Sequence, residues 1–305
     1  PPQPLQLHAQ ELALEERFCA GKAPLRQLRL SCTLQGGQVS FPVSLAVPRQ
    51  ENPCPAIVFI SFRPNFPDKY LPVEELTDRG YAVASFCYSD VTADNSDFRS
   101  GLAAVLDVDA SGKLILWAWA AMRVLDHLRT LPEIDHRRIA VAGHSRMGKA
   151  ALLASGLDPR FFAVLANEPG CMGGALTRGK TGETLEDICD SFPYFFAPRL
   201  RDYVGREAAL PFDQHFLLAL NAPRKLYVAS AAQDFWADPI SEFLGCAAAS
   251  CAWEQLGAPG LLGADRLPRP GTVLSGGMIG YHLREGEHYL SRYEWQRFLD
   301  FLEEA

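Results

Sequence analysis

Short, wholly apolar runs that alternate with helix-period segments constrain this chain more than any other feature. Ala56-Ile57-Val58-Phe59-Ile60 follows a proline and reads as a strand buried on both faces, and residues 81–86 after Arg79-Gly80 read the same way. Residues 114–128 carry Ile115, Trp119, Met122 and Leu125 at helical spacing, and Pro132 closes the segment. Arg138-Ile139-Ala140-Val141-Ala142-Gly143 predicts a further strand, with a helix after it over about 147–157. Phe162-Ala163-Val164-Leu165-Ala166, Leu226-Tyr227-Val228-Ala229-Ser230 and residues 278–283 add three more strands. A helix is expected after Asp238-Pro239, and residues 293–302 predict a closing amphipathic helix. Strands without polar alternation need cover on both faces. The expected class is therefore α/β, a mostly parallel sheet between two helical layers.

Residues 28–45 differ. Alternation in Phe41-Pro42-Val43-Ser44-Leu45 predicts antiparallel strands at the sheet's N-terminal edge. No repeat or long Ser/Gly linker interrupts the 305 residues, so residues 1–305 read as one domain, with the Gly- and Pro-rich stretch 257–271 as a surface loop. The 29 Lys and Arg against 36 Asp and Glu give a net charge of −7, which supplies no pull toward nucleic acid or an anionic membrane surface. No apolar run approaches the roughly 18 residues of a membrane span. The chain opens Pro1-Pro2-Gln3-Pro4 without a methionine or a basic-then-apolar leader. A trimmed or processed chain is expected, either secreted with its leader removed or cytoplasmic with reduced cysteines.

The eight cysteines form no Cys-x-x-Cys pair and no Cys/His cluster of zinc spacing, so neither a metal nor a cofactor is expected. A chain this long needs no disulfide scaffold. Reduced, buried thiols are expected, with Cys87, Cys246 and Cys251 acting as small hydrophobes.

The segment carrying the most chemistry is Gly143-His144-Ser145-Arg146-Met147-Gly148-Lys149, where a buried strand meets a helix. A serine on that sharp turn stands above the sheet edge, with the next N–H and the helix N-terminus aimed at its substrate oxygen. The usual pattern is Gly-x-Ser-x-Gly; here Met147 holds the second glycine position and Gly148 follows one later. A serine capping an ordinary helix is the competing reading. Serine becomes a nucleophile when a histidine takes its proton and a carboxylate orients that histidine. In α/β-hydrolases the three follow in the order Ser, acid, His. The last histidine, His288, lies between the strand-like 278–283 and the closing helix, and is the expected base; His282 competes but sits inside the strand-like run. Glu168 and Asp234 each follow a predicted strand and are the candidate acids.

These residues, with Asn167-Glu168-Pro169-Gly170-Cys171-Met172-Gly173-Gly174, Arg178-Gly179-Lys180-Thr181-Gly182-Glu183-Thr184, Phe212-Asp213-Gln214-His215 and Asp234-Phe235-Trp236-Ala237-Asp238-Pro239, resemble the glucuronoyl esterases of carbohydrate esterase family 15. The likeness runs from Tyr88-Ser89-Asp90-Val91 to Glu294-Trp295, some two-thirds of the chain. It implies an α/β-hydrolase fold, Ser145 as nucleophile, Arg146 beside it stabilising the oxyanion, His288 as base and Glu168 as acid, assisted or replaced by Asp234. It also implies a sugar-binding shell of Lys149, Glu183 and Trp236. A pyranose suits such a shell, since carboxylates accept from vicinal hydroxyls and an indole N–H donates to them. Without the resemblance, Lys149 reads as a solvated helix face and Trp236 as a core aromatic.

Pro169 and Met172 depart from the family pattern, so a differently shaped loop after Glu168 is expected. His144 and Tyr289 stand where fungal members carry a bridging cysteine pair, so that bridge is absent. The connection 94–112 is short beside bacterial relatives, which predicts a more open, shallower site. The expected substrate is an ester of (4-O-methyl-)glucuronic acid on xylan or a lignin–carbohydrate fragment, acted on by a monomer. The alternatives are an acetyl-xylan or cephalosporin-C type deacetylase, with the sugar in the alcohol half, and an inactive carbohydrate-binding relative.

Overall fold

The computed structural model describes residues 2–106 and 111–304; residues 107–110 of the 94–112 connection lie outside them. Its strands are β1 (Gln6–Glu15), β2 (Leu25–Leu34), β3 (Gly37–Ala46), β4 (Cys54–Ser61), β5 (Ala82–Cys87), β6 (Ile134–His144), β7 (Ala163–Asn167), β8 (Lys225–Ala231), β9 (Thr272–Leu274) and β10 (Ile279–Arg284). The α-helices are α1 (Val73–Asp78), α2 (Tyr88–Val91), α3 (Leu114–Leu128), α4 (Arg146–Leu157), α5 (Leu185–Ser191), α6 (Gln214–Ala219), α7 (Pro239–Gln255) and α8 (Arg292–Glu303).

The strands form one sheet in the order β1-β2-β3-β5-β4-β6-β7-β8-β10-β9. Its centre, β5-β4-β6-β7-β8-β10, is parallel throughout. β1, β2 and β3 pair antiparallel at one edge, and β9 pairs antiparallel with β10 at the other. Strand side chains point alternately to the two faces, and β4 shows the consequence. Ala56, Val58 and Ile60 join an apolar layer with Trp117 of α3 and Leu152 of α4, whereas Ile57 and Phe59 join a second layer with Leu76 of α1 and Trp295 of α8. Both faces are dry, which gives the three layers the unalternated strands predict. Helices α3 and α7 lie on the first side, α1 and α8 on the second.

The structure extends the sequence expectations in a few places. β1 is a mostly exposed edge strand with only Leu7 and Ala9 packed on the core and with Leu12 and Leu14 turned outward, so it carries no buried apolar run to announce it. β6 begins five residues before the apolar run because Ile134 pairs with Cys54 across a register shift. All eight cysteines are free, and six are buried. Cys251 is the correction to the small-hydrophobe expectation: α7 turns it outward, while Cys246 and Trp253 face the core. Among the described residues, no helix is long and apolar enough to cross a membrane.

Because the central strands run parallel, the carboxyl ends of β6, β7, β8 and β10 open on one edge. That edge is where open α/β sheets bind ligands.

Candidate active site

At the end of β6 the chain makes the sharp turn expected of it. Ser145 takes φ 57°, ψ −128°, a strained conformation for a non-glycine residue, and α4 begins at the next residue. The glycines explain the displaced pattern. A Cβ on Gly143 would collide with the Met147 carbonyl, and one on Gly148 would sit 3.3 Å from the carbonyl oxygens of Asn167 and Gly143. The close approach of strand and helix therefore falls on positions 143 and 148, while Met147 turns into the core and is fully buried. The Ser145 N–H donates to Asn167 O at 2.8 Å, fixing the elbow to the neighbouring strand. The unpaired first-turn N–H groups of α4 then face the same edge as the hydroxyl.

Glu168, Asp234 and His288 converge there from three other strand ends. His288 Nδ1 lies 2.6 Å from Asp234 Oδ2 and 3.0 Å from Glu168 Oε2. Only the Asp234 contact has hydrogen-bond geometry. Glu168 has other partners: Oε1 accepts from Arg284 Nη2 at 3.0 Å and Oε2 from the Tyr289 N–H at 2.8 Å. Arg284 also donates to the carbonyls of Glu287 and Tyr289, on either side of the histidine, so the His288 loop is pinned at both ends. Burial works to lower the His288 pKa, but the two carboxylates outweigh it and raise it to about 9. Burial pushes Glu168 up to about 7 against the pull of His288 and Arg284.

His144 lies against His288, ring centroids 4.5 Å apart, where the fungal relatives' bridge was expected to be missing. Its Nδ1 is 2.9 Å from Asn167 Nδ2, which must donate, so Nδ1 carries no proton. Burial and the neighbouring His288 keep His144 well below the usual imidazole range, and it stays neutral. His282 is excluded from the site: it is fully buried in β10, with Nδ1 3.0 Å from the Tyr227 hydroxyl.

A cavity of about 340 Å³ joins these groups; Ser145, Arg146, Lys149, Glu168, Glu183, Asp234, Trp236 and His288 all line it. Lys149 is not on a solvated face. It is buried, with Nζ 2.6 Å from Pro169 O and 4.0 Å from Glu183 Oε2, and desolvation lowers its pKa. Trp236 is no core aromatic either, being 57% exposed at the rim. Gly182 lets the chain bring Glu183 beside Trp236. A Cβ there would collide with the carbonyls of Phe235 and Trp236, and its absence lets the Glu183 N–H donate to Trp236 O at 2.8 Å.

Ile188, Phe192 and Phe195 complete the wall, and none was singled out from the sequence. The aromatic run Phe192, Tyr194, Phe195, Phe196 is the signal that was available. Asp94, the partner of Arg146, was also passed over, because nothing in its local sequence links it to the elbow.

The sheet order and the strand–elbow–helix turn at its centre define an α/β-hydrolase. The family model described as "Glucuronyl esterase, fungi" matches residues 30–257, and the chain belongs to that family, the glucuronoyl esterases of carbohydrate esterase family 15. A carbohydrate esterase of an unknown prokaryotic organism is 37% identical over 237 residues, covering 75% of this chain and 54% of that protein. The 4-O-methyl-glucuronoyl methylesterase of Hypocrea jecorina is 31% identical over 255 residues, covering 79% and 53%. The chain thus spans about half the length of these curated relatives. The solved glucuronoyl esterase from Solibacter usitatus superposes with a TM-score of 0.89 at 29% identity, covering 99% of this chain and 87% of that one. A promiscuous esterase of the same family, from a marine bacterial metagenome, gives 0.90 at 28% identity, covering 99% and 86%.

Proposed function

We propose that residues 1–305 act as one catalytic domain, a serine esterase that hydrolyses esters of (4-O-methyl-)glucuronic acid. The observation that carries the reading is the single cavity that joins the Ser145 elbow and the doubly supported His288 to the polar shell of Lys149, Glu183 and Trp236. A buried lysine and carboxylate beside the proposed nucleophile suit the hydroxyls of a sugar held in the acyl half of the ester. The family membership and the curated 4-O-methyl-glucuronoyl methylesterases support the same substrate class.

In this reading Ser145 Oγ attacks the uronate carbonyl carbon as His288 takes its proton. The tetrahedral oxyanion is held by Arg146 and the first N–H groups of α4. His288 then passes its proton to the departing alcohol, the C–O bond breaks, and the uronoyl group remains on Ser145. Water, deprotonated by His288, attacks that acyl-enzyme and releases the uronic acid and the serine. Lys149, Glu183 and Trp236 hold the pyranose hydroxyls meanwhile. The resemblance assigns the larger acid share to Glu168; the geometry favours Asp234, whose carboxylate makes the shorter bond, while Glu168 also holds Arg284 and Tyr289.

The test is turnover of benzyl glucuronate beside p-nitrophenyl acetate. Preference for the uronate is expected. Preference for the acetate would identify a deacetylase, and turnover of neither a binding protein; both outcomes overturn the proposal.

A further inference from the structure

The side chain of Arg146 is held from outside the cavity by a group the reaction itself does not require. Its Nη1 donates to Asp94 Oδ2, and no other hydrogen bond from the guanidinium is present among the described residues. Its plane is boxed by aromatic rings: Phe192 at 4.7 Å, Phe195 at 5.6 Å and Phe62 at 6.0 Å from the guanidinium carbon. Asp94 in turn is over-determined. The Tyr88 hydroxyl donates to Oδ2 at 2.8 Å and the Tyr194 hydroxyl to Oδ1 at 2.9 Å. The turn that carries it is stapled by the buried Lys113, whose Nζ donates to Ala93 O and Asp97 O, each at 2.7 Å. Three distant segments therefore meet on one carboxylate: the chain after β5, the elbow helix α4 and the aromatic run beyond α5.

We propose that Asp94 is the positioning residue for Arg146, fixing the guanidinium where oxyanion charge develops rather than touching substrate itself. The proposal rests on the reading of Arg146 as the oxyanion arginine. A free arginine samples many rotamers, and that freedom must be lost when it is ordered. It also shares its cavity with Glu168, Glu183 and Asp234, each a competing anionic partner. A donor that must find its place during the reaction contributes less than one already in place. Asp94 anchors one end of the fork and leaves Nε–H and the Nη2 hydrogens available on the other. Tyr88 and Tyr194 serve as fixed donors to that anchor. Burial first, and the Asp94 carboxylate second, drives both phenols well above their ordinary range, so neither ionises near neutral pH.

The experiment is a double-mutant cycle on benzyl glucuronate, using Asp94→Ala, Arg146→Ala and the double variant, with a thermal melt for each. Arg146→Ala is expected to lower kcat about 10²–10³-fold, the range for loss of one oxyanion donor. Asp94→Ala is expected to lower kcat roughly 10–10²-fold with KM within about threefold of wild type, since ground-state binding uses other groups. The deciding result is the double variant. If Asp94 acts through Arg146, its kcat matches Arg146→Ala to within about threefold, because nothing is left to position. Additive losses, or an Asp94→Ala enzyme with wild-type kcat, overturn the proposal while leaving the oxyanion reading standing. An Arg146→Ala enzyme with undiminished kcat overturns that reading, and the Asp94 proposal with it. Asp94→Asn, which keeps the shape and drops the charge, replaces Asp94→Ala in the cycle if the alanine variant does not melt cooperatively.

Discussion

Residues 143–149 bring Ser145, Arg146 and Lys149, the proposed nucleophile, oxyanion donor and sugar ligand, together within one strand-to-helix turn, whereas Glu168, Asp234 and His288 arrive from three separate strand ends. On the elbow the proposed attack rests on a single hydroxyl, that of Ser145. The elbow backbone combines a strained serine with two glycines, Gly143 leaving no room for a side chain and Gly148 little. On the base side the support is duplicated: one histidine nitrogen faces two carboxylates, and Arg284 ties the loop on both sides of it. A locally built site is compact but has no spare parts. A site assembled across the sheet tolerates the loss of one contributor.

The largest expected effect tests the first half of that contrast. Ser145→Ala should lower kcat on benzyl glucuronate by roughly 10⁴–10⁶, as loss of a nucleophile does elsewhere, with an unchanged thermal melt. Activity within tenfold of wild type would remove Ser145 from the mechanism.

Duplication is tested next. Asp234→Ala and Glu168→Ala should each lower kcat/KM only about 10–10²-fold, well short of the roughly 10⁴-fold typical when a triad has a single acid. The double variant should fall close to His288→Ala, a non-additive loss. Asp234→Ala should lose more than Glu168→Ala, since it removes the shorter bond. Four kcat/KM values decide it. One dead single variant beside a wild-type-like partner would show that only one acid works.

A smaller effect lies in the pH profile. In the proposed mechanism His288 must be unprotonated, and the two carboxylates that stabilise its charged form raise its pKa to about 9. kcat/KM of the wild type should therefore climb through neutral pH toward about 9. Asp234→Asn removes one negative charge, which lowers that pKa and moves the rising limb to lower pH even as the maximum falls. A limb that stays in place would mean that Asp234 does not act electrostatically on His288.

The smallest expected change is at the rim. Trp236→Ala should raise KM for the uronate roughly three- to tenfold with kcat nearly unchanged, as removal of uniform binding does. A kcat effect of the same size would place the indole in transition-state stabilisation.

Much of this molecule was legible residue by residue. Strand β4 reads as buried on both faces because it carries apolar side chains at every position from Ala56 to Ile60, and the structure puts alternate ones into two apolar layers. The boundaries of α3 are those its periodicity predicts. The elbow could be located from its own seven residues, because the serine and the glycines on either side of it stand together in the sequence where a buried strand gives way to a helix. β1 was not legible: an edge strand exposed on most of its residues needs no apolar pattern, and its backbone pairing with β2 leaves no trace in side-chain type.

The sequence by itself determined the α/β class, the covered parallel sheet and the identity of the elbow, since each depends on side-chain spacing within a few neighbouring residues. Tertiary structure alone decided that Asp234 rather than Glu168 makes the shorter bond to His288, that His144 lies against His288, and that Asp94 reaches Arg146 from 52 residues away. Hydrogen bonds and ring contacts form only when atoms come within a few ångströms. For residues this far apart in the chain, that distance is set by strand order and by the loops the strands carry.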